Sequence, residues 1–166
     1  MKISKARSIN IIKLKNTNYL CQIVNSKSNI NTIDYYRRII AKISSVNKFG
    51  PVFDSFEIRI NKVELIIPYD KQNILGAVVI EKKNSINITY DFKIQDDKKI
   101  ILKEDLWAIR SIQIVKSNQK QGLGTALVKY IIEEKNNNTL IYPIVSTMIE
   151  EEGKRLFKKF GKIYRA

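Results

Sequence analysis

The sequence predicts a mixed α/β (α+β) domain in which a central, mostly antiparallel sheet is flanked by helices. Three observations carry that expectation. One amphipathic stretch of helical period comes early, around Tyr36. Several strand-like runs follow it, separated by polar turns. Two strand-then-helix units close the chain, and the first is joined by a turn holding two of the six glycines, Gly122 and Gly124. With 166 residues, 44 % of them apolar and 28 % charged, the chain is long enough for a real core, and a single domain over 1–166 is expected.

The first helix is expected in "NTIDYYRRIIAKISS", capped by Asn31 or Thr32 with Asp34 in its first turn. Ile33, Tyr36, Ile40 and Ile43 recur at helical spacing, and Gly50–Pro51 punctuate the end. Strands are then expected in "SFEIRI", "VELIIP" and "ILGAVVIE". Another is expected in "INITYDFKI", where Ile86, Ile88, Tyr90 and Phe92 share one face. "NKV", "YDKQN", "KKNS" and "QDDKK" read as the turns between them. "LWAIRSIQIV" is a strand that runs into the glycine stretch. Beyond it a helix buries Leu127, Ile131 and Ile132 and stops at "KNNN". "TLIYPIVS" reads as a strand, and "EEEGKRLFKKFG" as a closing helix with Leu156, Phe157 and Phe160 inward.

Composition limits the chemistry. There is no histidine, and Cys21 is the only cysteine, which excludes an intramolecular disulfide, a histidine triad and zinc sites built on His or several Cys. Carboxylates, hydroxyls, backbone amides or a substrate amine must do any catalysis. The net charge is +14, unevenly spread: +9 over residues 1–53, +2 over 54–149 and +3 over 150–166. Codon bias would spread charge evenly, so the asymmetry suggests a nucleic acid or another acidic partner, with a merely soluble basic surface as the bland alternative. The basic N-terminus lacks the apolar block of a secretory signal, and no window approaches the ~18 apolar residues of a membrane span. A cytoplasmic protein with no membrane partner is expected.

The turn reads Gln119-x-x-Gly122-x-Gly124. A strand entering a glycine turn and a helix presents free backbone N–H groups and the positive end of a helix dipole, a site suited to phosphate. Glycines at Gly122 and Gly124 would let a pyrophosphate approach. Thr125-Ala126 after the last glycine rules out a P-loop. Leu127 at the third glycine position argues against a dinucleotide fingerprint.

This pattern resembles the acyl-CoA-binding motif of the GNAT (general N-acetyltransferase) superfamily: Arg or Gln, two residues, Gly, one residue, Gly or Ala. "SIQIVKSNQKQGLGTALVKYII" looks like the family's fourth strand, pyrophosphate loop and third helix, and "LIYPIVSTMIEEEGKRLFKKFG" like its fifth strand and fourth helix. The resemblance covers about Leu106 to Gly161. It implies acetyl-CoA as cofactor and an N-acetyltransferase reaction. The amides of Gln119, Lys120, Gln121, Gly122, Leu123, Gly124 and Thr125 would hold the pyrophosphate. The backbone of Ile112, Ile114 and Val115 would bond the pantetheine arm. Lys116 and Lys120 would add charge toward the 3′-phosphate. The Ile114 amide would polarise the acetyl carbonyl.

Departures from the pattern bear on the catalytic residues. The family's closing-helix Tyr, a proton donor to the thiolate, matches Phe157, better read as core. The Asn before that helix matches Glu150, a candidate base or simply a first-turn acid. Where a basic Glu is usual, the strand carries Ala108 and Arg110, with Glu104 and Asp105 further back; Arg110 could face an acidic substrate. Ser146 is a hydroxyl candidate. The chain ends five residues after Gly161, a shortened C-terminal end that a homo-oligomeric partner could complete. Candidate acceptors are amines on something acidic: amines linked to tRNA, or ribosomal and nucleic-acid-associated proteins. Tyr35, Tyr36 and Trp107 could stack on bases, though core packing is the plainer reading. The rivals are a non-catalytic module that binds nucleic acid or a protein partner through its basic surface, and a small-molecule amine acetyltransferase, which the charge disfavours.

Overall fold

A computed structural model describes residues 1–6, 9–46, 53–90, 93–94, 99–119, 121–146 and 151–166, with backbone only at 44–46, 88–90, 93–94 and 152. The expected Phe92, Lys120 and Glu150 positions lie outside the described residues. So do Gly50 and Pro51.

The basic N-terminal third opens with a hairpin that the sequence analysis does not assign: β1 (Asn10–Lys13) antiparallel to β2 (Leu20–Val24). Asn16 takes φ 60° in its turn, a left-handed conformation that asparagine tolerates. Helix α1 (Ile30–Val46) follows. Its cap is Asn29, whose Oδ1 accepts from the Thr32 N–H at 2.9 Å, in place of the expected Asn31 or Thr32. Asp34 therefore falls past the first turn and accepts from Ser55 Oγ at 3.2 Å. Ile33, Tyr36, Ile40 and Ile43 are buried, as their spacing predicts.

"SFEIRI" is not a strand. It forms the short helix α2 (Ser55–Arg59), set by a capping box in which Asp54 and Glu57 each bond the other's backbone N–H. Ile58 is its one buried residue. The apparent alternation is overridden because two first-turn amides find carboxylate acceptors locally.

β3 (Val63–Asp70), β4 (Asn73–Ile74), β5 (Gly76–Tyr90), β6 (Lys93–Ile94) and β7 (Ile100–Ile114) come next. "KKNS" is no turn: β5 passes straight through it, absorbing a register shift between Lys83 and Ser85. A 3-10 turn (Lys116–Asn118) leads to α3 (Leu123–Tyr130), which continues as a π-helical turn, Ile131–Lys135. Of "TLIYPIVS" only β8 (Ile144–Val145) is strand. α4 (Glu151–Lys158) and β9 (Ile163–Arg165) complete the described elements. Among them no helix is long and apolar enough to cross a membrane.

The described strands make one nine-stranded sheet in the order β1-β2-β3-β5-β7-β8-β9, with β4 on β3 and β6 on β5. Pairing is antiparallel throughout except where β8 joins β7 and β9 in parallel. β9 also pairs antiparallel with β5, so this end of the sheet curls back on itself. The pleat divides the interior. Val78 and Ile80 face a core shared with α3 and with Phe157 of α4, whereas Ala77 and Val79 face a core shared with α1. Phe157 is 2 % exposed, the packing role expected of it.

Candidate functional site

The site is built on an interruption in β7. Val79 pairs with Ser111 and Ile80 with Ile109, so Arg110 is an extra residue, a β-bulge. Pairing of β7 with β8 is limited to Ile109↔Val145. The Ser146 N–H donates to the Ile109 carbonyl at 3.0 Å and closes that contact. Past it, no described strand pairs with β7 on that side. The Val115 N–H donates to the Leu75 carbonyl at 2.8 Å, so by the two-residue pleat Ile114 and Ile112 turn their backbone groups to the opposite edge, which no described strand pairs. From Arg110 to Ile114 this edge is about 13 Å long at ~3.3 Å per residue.

One end of the edge meets the glycine turn. Gln119 Nε2 donates to the Ile114 carbonyl at 3.0 Å, fastening the loop to the strand. Gly122 caps α3 with φ 80° and ψ 0°, and no side chain caps the helix. The first-turn N–H groups, which no helical carbonyl can reach, are thus left without a side-chain acceptor. A Cβ on Gly122 would meet nothing within 4 Å. Gly124 answers to a different constraint: it is buried, and a Cβ there would sit 3.2 Å from Leu156 Cδ2 and 3.3 Å from Ile114 Cδ1. The space at Gly122 is open, while that at Gly124 is taken by α4 and β7. Leu123 is buried, Gln121 and Lys116 are exposed, and Thr125 is half-buried with Lys159 Nζ 3.5 Å from its hydroxyl. No acidic residue occurs from Val115 to Thr125.

The other end of the edge meets a polar cluster. Arg110, expected to face an acidic substrate, is instead clasped by two carboxylates of the chain. Its Nε donates to Glu81 Oε2 at 2.6 Å, and its two terminal nitrogens donate to Glu57 at 3.2 and 2.6 Å. Lys83 lies 3.2 Å from Glu81. Burial alone would raise the Glu81 carboxyl, but hydrogen bonds from Ser146 and Arg110, with the Arg110 and Lys83 charges, hold it below its ordinary value. The Glu57 carboxyl is lowered chiefly by its hydrogen bonds from Arg110. The Ser146 hydroxyl reaches both Glu81 and, at 3.4 Å, the Ile109 carbonyl; the charged acceptor is the stronger. The sequence analysis singles out neither glutamate. The Asp54-x-x-Glu57 spacing was a visible sign of a helix start, but nothing in the sequence links it to Arg110.

The aromatic residues considered for stacking are structural. Tyr36 is fully buried and bonds Gln22 and the Ser4 N–H, with Tyr35 edge-on at 5.2 Å. Trp107 is buried with the amines of Lys82 and Lys135 over its ring, and both its backbone groups are held by Asn136.

Neither a protein-family model nor a curated protein sequence matches this chain. Solved structures do. The xEco2 acetyltransferase domain aligns with a TM-score of 0.68 over 97 % of each chain at 9 % identity. The same domain bound to a K105-CoA conjugate aligns at 0.61, over 89 % of this chain and 91 % of that one. The chain has the GNAT fold. A predicted acetyltransferase with acetyl-CoA from Clostridium acetobutylicum aligns at 0.55 with 12 % identity, covering 87 % of this chain and 88 % of that one. At these identities the likeness is one of fold.

Proposed function

We propose that the chain is an acetyl-CoA-dependent N-acyltransferase whose acceptor is an amine on an acidic or nucleic-acid-associated molecule. The observation that carries this reading is the juxtaposition of a β7 edge that no described strand pairs with an open-sided helix start at Gly122, where no described side chain caps the helix. The GNAT fold supports it. The residues present suit an extended, pyrophosphate-bearing thioester: the loop amides and Lys159 supply donors, and the stretch from Val115 to Thr125 contains no acid.

Acetyl-CoA would supply an activated acyl thioester. In this reading the amides of Gln119–Thr125, with Lys116 and Lys159, bind the pyrophosphate, and the Ile112–Ile114 edge bonds the pantetheine as an added strand would. Ile114 lies against the loop through Gln119, so the amide at Ile112, nearer the bulge, is better placed than that of Ile114 to polarise a carbonyl one pantetheine arm away. Ser146 and Glu81, where β7 and β8 part, then border the acceptor side. Glu57 and Glu81 are held ionised by Arg110, which makes them weak bases. The amine must therefore arrive neutral. That condition favours an α-amine (pKa about 8) or an aminoacyl ester over a lysine (about 10.4). The C–N bond forms as the C–S bond breaks, and the proton lost by the amine balances the departing thiolate. With Phe157 buried, water completes that transfer.

Thiol release from acetyl-CoA, followed with mass analysis of the acceptor, tests the proposal. Aminoacyl-tRNA or peptides with free α-amines should be acetylated faster than lysine peptides or small cationic amines. Coenzyme binding without turnover on any of these would favour a non-catalytic binding module.

A further inference from the structure

Helix α2 has two unlike sides. Inward, Ile58 is buried and Glu57 holds Arg110 at the β7 bulge. Outward, Phe56 is 62 % exposed and Ile60, four residues on, is 43 % exposed. A phenyl ring gains by burial, yet Phe56 belongs to none of the three hydrophobic clusters. The helix cap fixes it in place: Asp54 Oδ1 accepts from the Phe56 N–H at 2.7 Å. The charge around the ring is positive. Arg59 and Lys62 are exposed at the end of α2 and just beyond it. Arg37 and Arg38 are exposed on α1, three and four residues after Asp34, which bonds Ser55 beside Phe56. They therefore lie one helical turn from the α1–α2 contact. Among the described residues none of these four cations forms an ion pair. The acids of this face are already engaged: Asp34 with Ser55, Asp54 with the α2 amides, and Glu57 with Arg110 and, through space, Lys62.

We propose that the outer face of α2, with the adjoining turn of α1, docks single-stranded nucleic acid, and that Phe56 is the surface on which one base stacks. An exposed ring among cations suits a chain that presents bases and phosphates in alternation. An acidic peptide would satisfy the charge but offers the ring no flat partner. A duplex keeps its bases stacked inside and withholds them. The assignment rests on the acyltransferase reading above and deepens it. Glu57 follows Phe56 in the chain and touches the bulge residue, so a nucleotide on Phe56 stands beside the acceptor side of the site. An amine carried as an aminoacyl ester on the end of that strand is thereby presented to the acyl donor. The acceptor must then have an unpaired end as well as negative charge.

Fluorescence anisotropy of the full chain with a short labelled single-stranded RNA, the same RNA as a duplex, and polyglutamate tests this, with acetyl-CoA titrated in parallel by calorimetry. Wild type should bind the single strand more tightly than the duplex. Phe56→Ala should weaken single-strand binding at least about fivefold whatever the base sequence, the size of one lost stack, and Phe56→Trp should restore it. Because the ring is exposed and outside the core, both variants keep the fold. Arg59→Ala/Lys62→Ala should reduce the salt slope of binding by about 1.4, at ~0.7 per phosphate neutralised. A wild type that binds no single strand at low salt, that binds the duplex equally well, or that Phe56→Ala matches would overturn the assignment. Polyglutamate binding that depends on Phe56, without RNA binding, would overturn it in favour of an acidic protein. None of these results touches the coenzyme reading while acetyl-CoA still binds. Phe56-dependent RNA binding without acetyl-CoA binding would instead overturn that reading and leave this face a nucleic-acid site.

Discussion

At Gly122 the backbone sits at φ 80° beside open space, so an alanine there costs about 1–2 kcal/mol of backbone strain without filling a ligand site. Aspartate adds a charge where the reading places a pyrophosphate. Gly122→Asp should weaken acetyl-CoA binding at least about tenfold, and unchanged affinity by titration would remove the loop from the account. Gly124 differs because its missing side chain is matched by Leu156 and Ile114. A bulkier residue there should lower the melting temperature before it touches binding. Phe157, fully packed among α3 and the sheet, belongs with the core: Phe157→Ala should cost about 3–5 kcal/mol in unfolding, and turnover per folded molecule should change less than stability does. The reverse pattern in paired melting and rate measurements would return a catalytic role to that position.

At the scale of elements, α2 is five residues long and depends on its Asp54–Glu57 box. Asp54→Ala should destabilise by about 1 kcal/mol, measured by denaturant unfolding. The helix in turn presents Glu57 to the bulge in β7. Arg110→Ala leaves Glu57 and Glu81 without their shared cation; the expected loss is about 2–4 kcal/mol, reduced because Glu57 is partly solvated. The pH dependence has a definite sign. Both carboxyls are lowered in the folded protein, so the cluster's contribution is complete above the unfolded value near ~4.3 and disappears as the pH falls through the folded values. Melting temperatures of wild type and Glu81→Gln should therefore differ most above about pH 5 and converge only as the pH falls through the folded values, below ~4.3. A gap that stays constant would contradict the cluster.

The same elements show what sequence reasoning could reach. The α1 stripe, the buried face of α3 and the glycine turn were legible because their signals are local: helical period, or glycines at a helix start, although only Gly122 has open space beside it and Gly124 is matched by packing. α2 was misread because the apolar alternation in "SFEIRI" outweighed the capping box that begins one residue earlier. "KKNS" was misread because polar residues in a two-faced strand look like a turn, and only pairing with β7 keeps it extended. The Arg110 clasp was not legible at all, since its partners lie 53 and 29 residues away.

For the molecule as a whole, the net charge of +14 does not form one patch. Lys15 and Lys129 line a cavity beside α3, whereas Arg37, Arg38 and Lys42 belong to α1, on the other side of the sheet. An acceptor drawn by charge would meet the α1 face independently of the coenzyme. The central claim is narrower: the β7 edge and the Gly122 turn form a site for an acyl-CoA. Calorimetric titration with acetyl-CoA, against free CoA and a nucleotide lacking the pantetheine arm, tests it most directly. The account predicts micromolar binding that requires both pyrophosphate and pantetheine. No binding up to millimolar acetyl-CoA would make Gly122 a structural turn and contradict it.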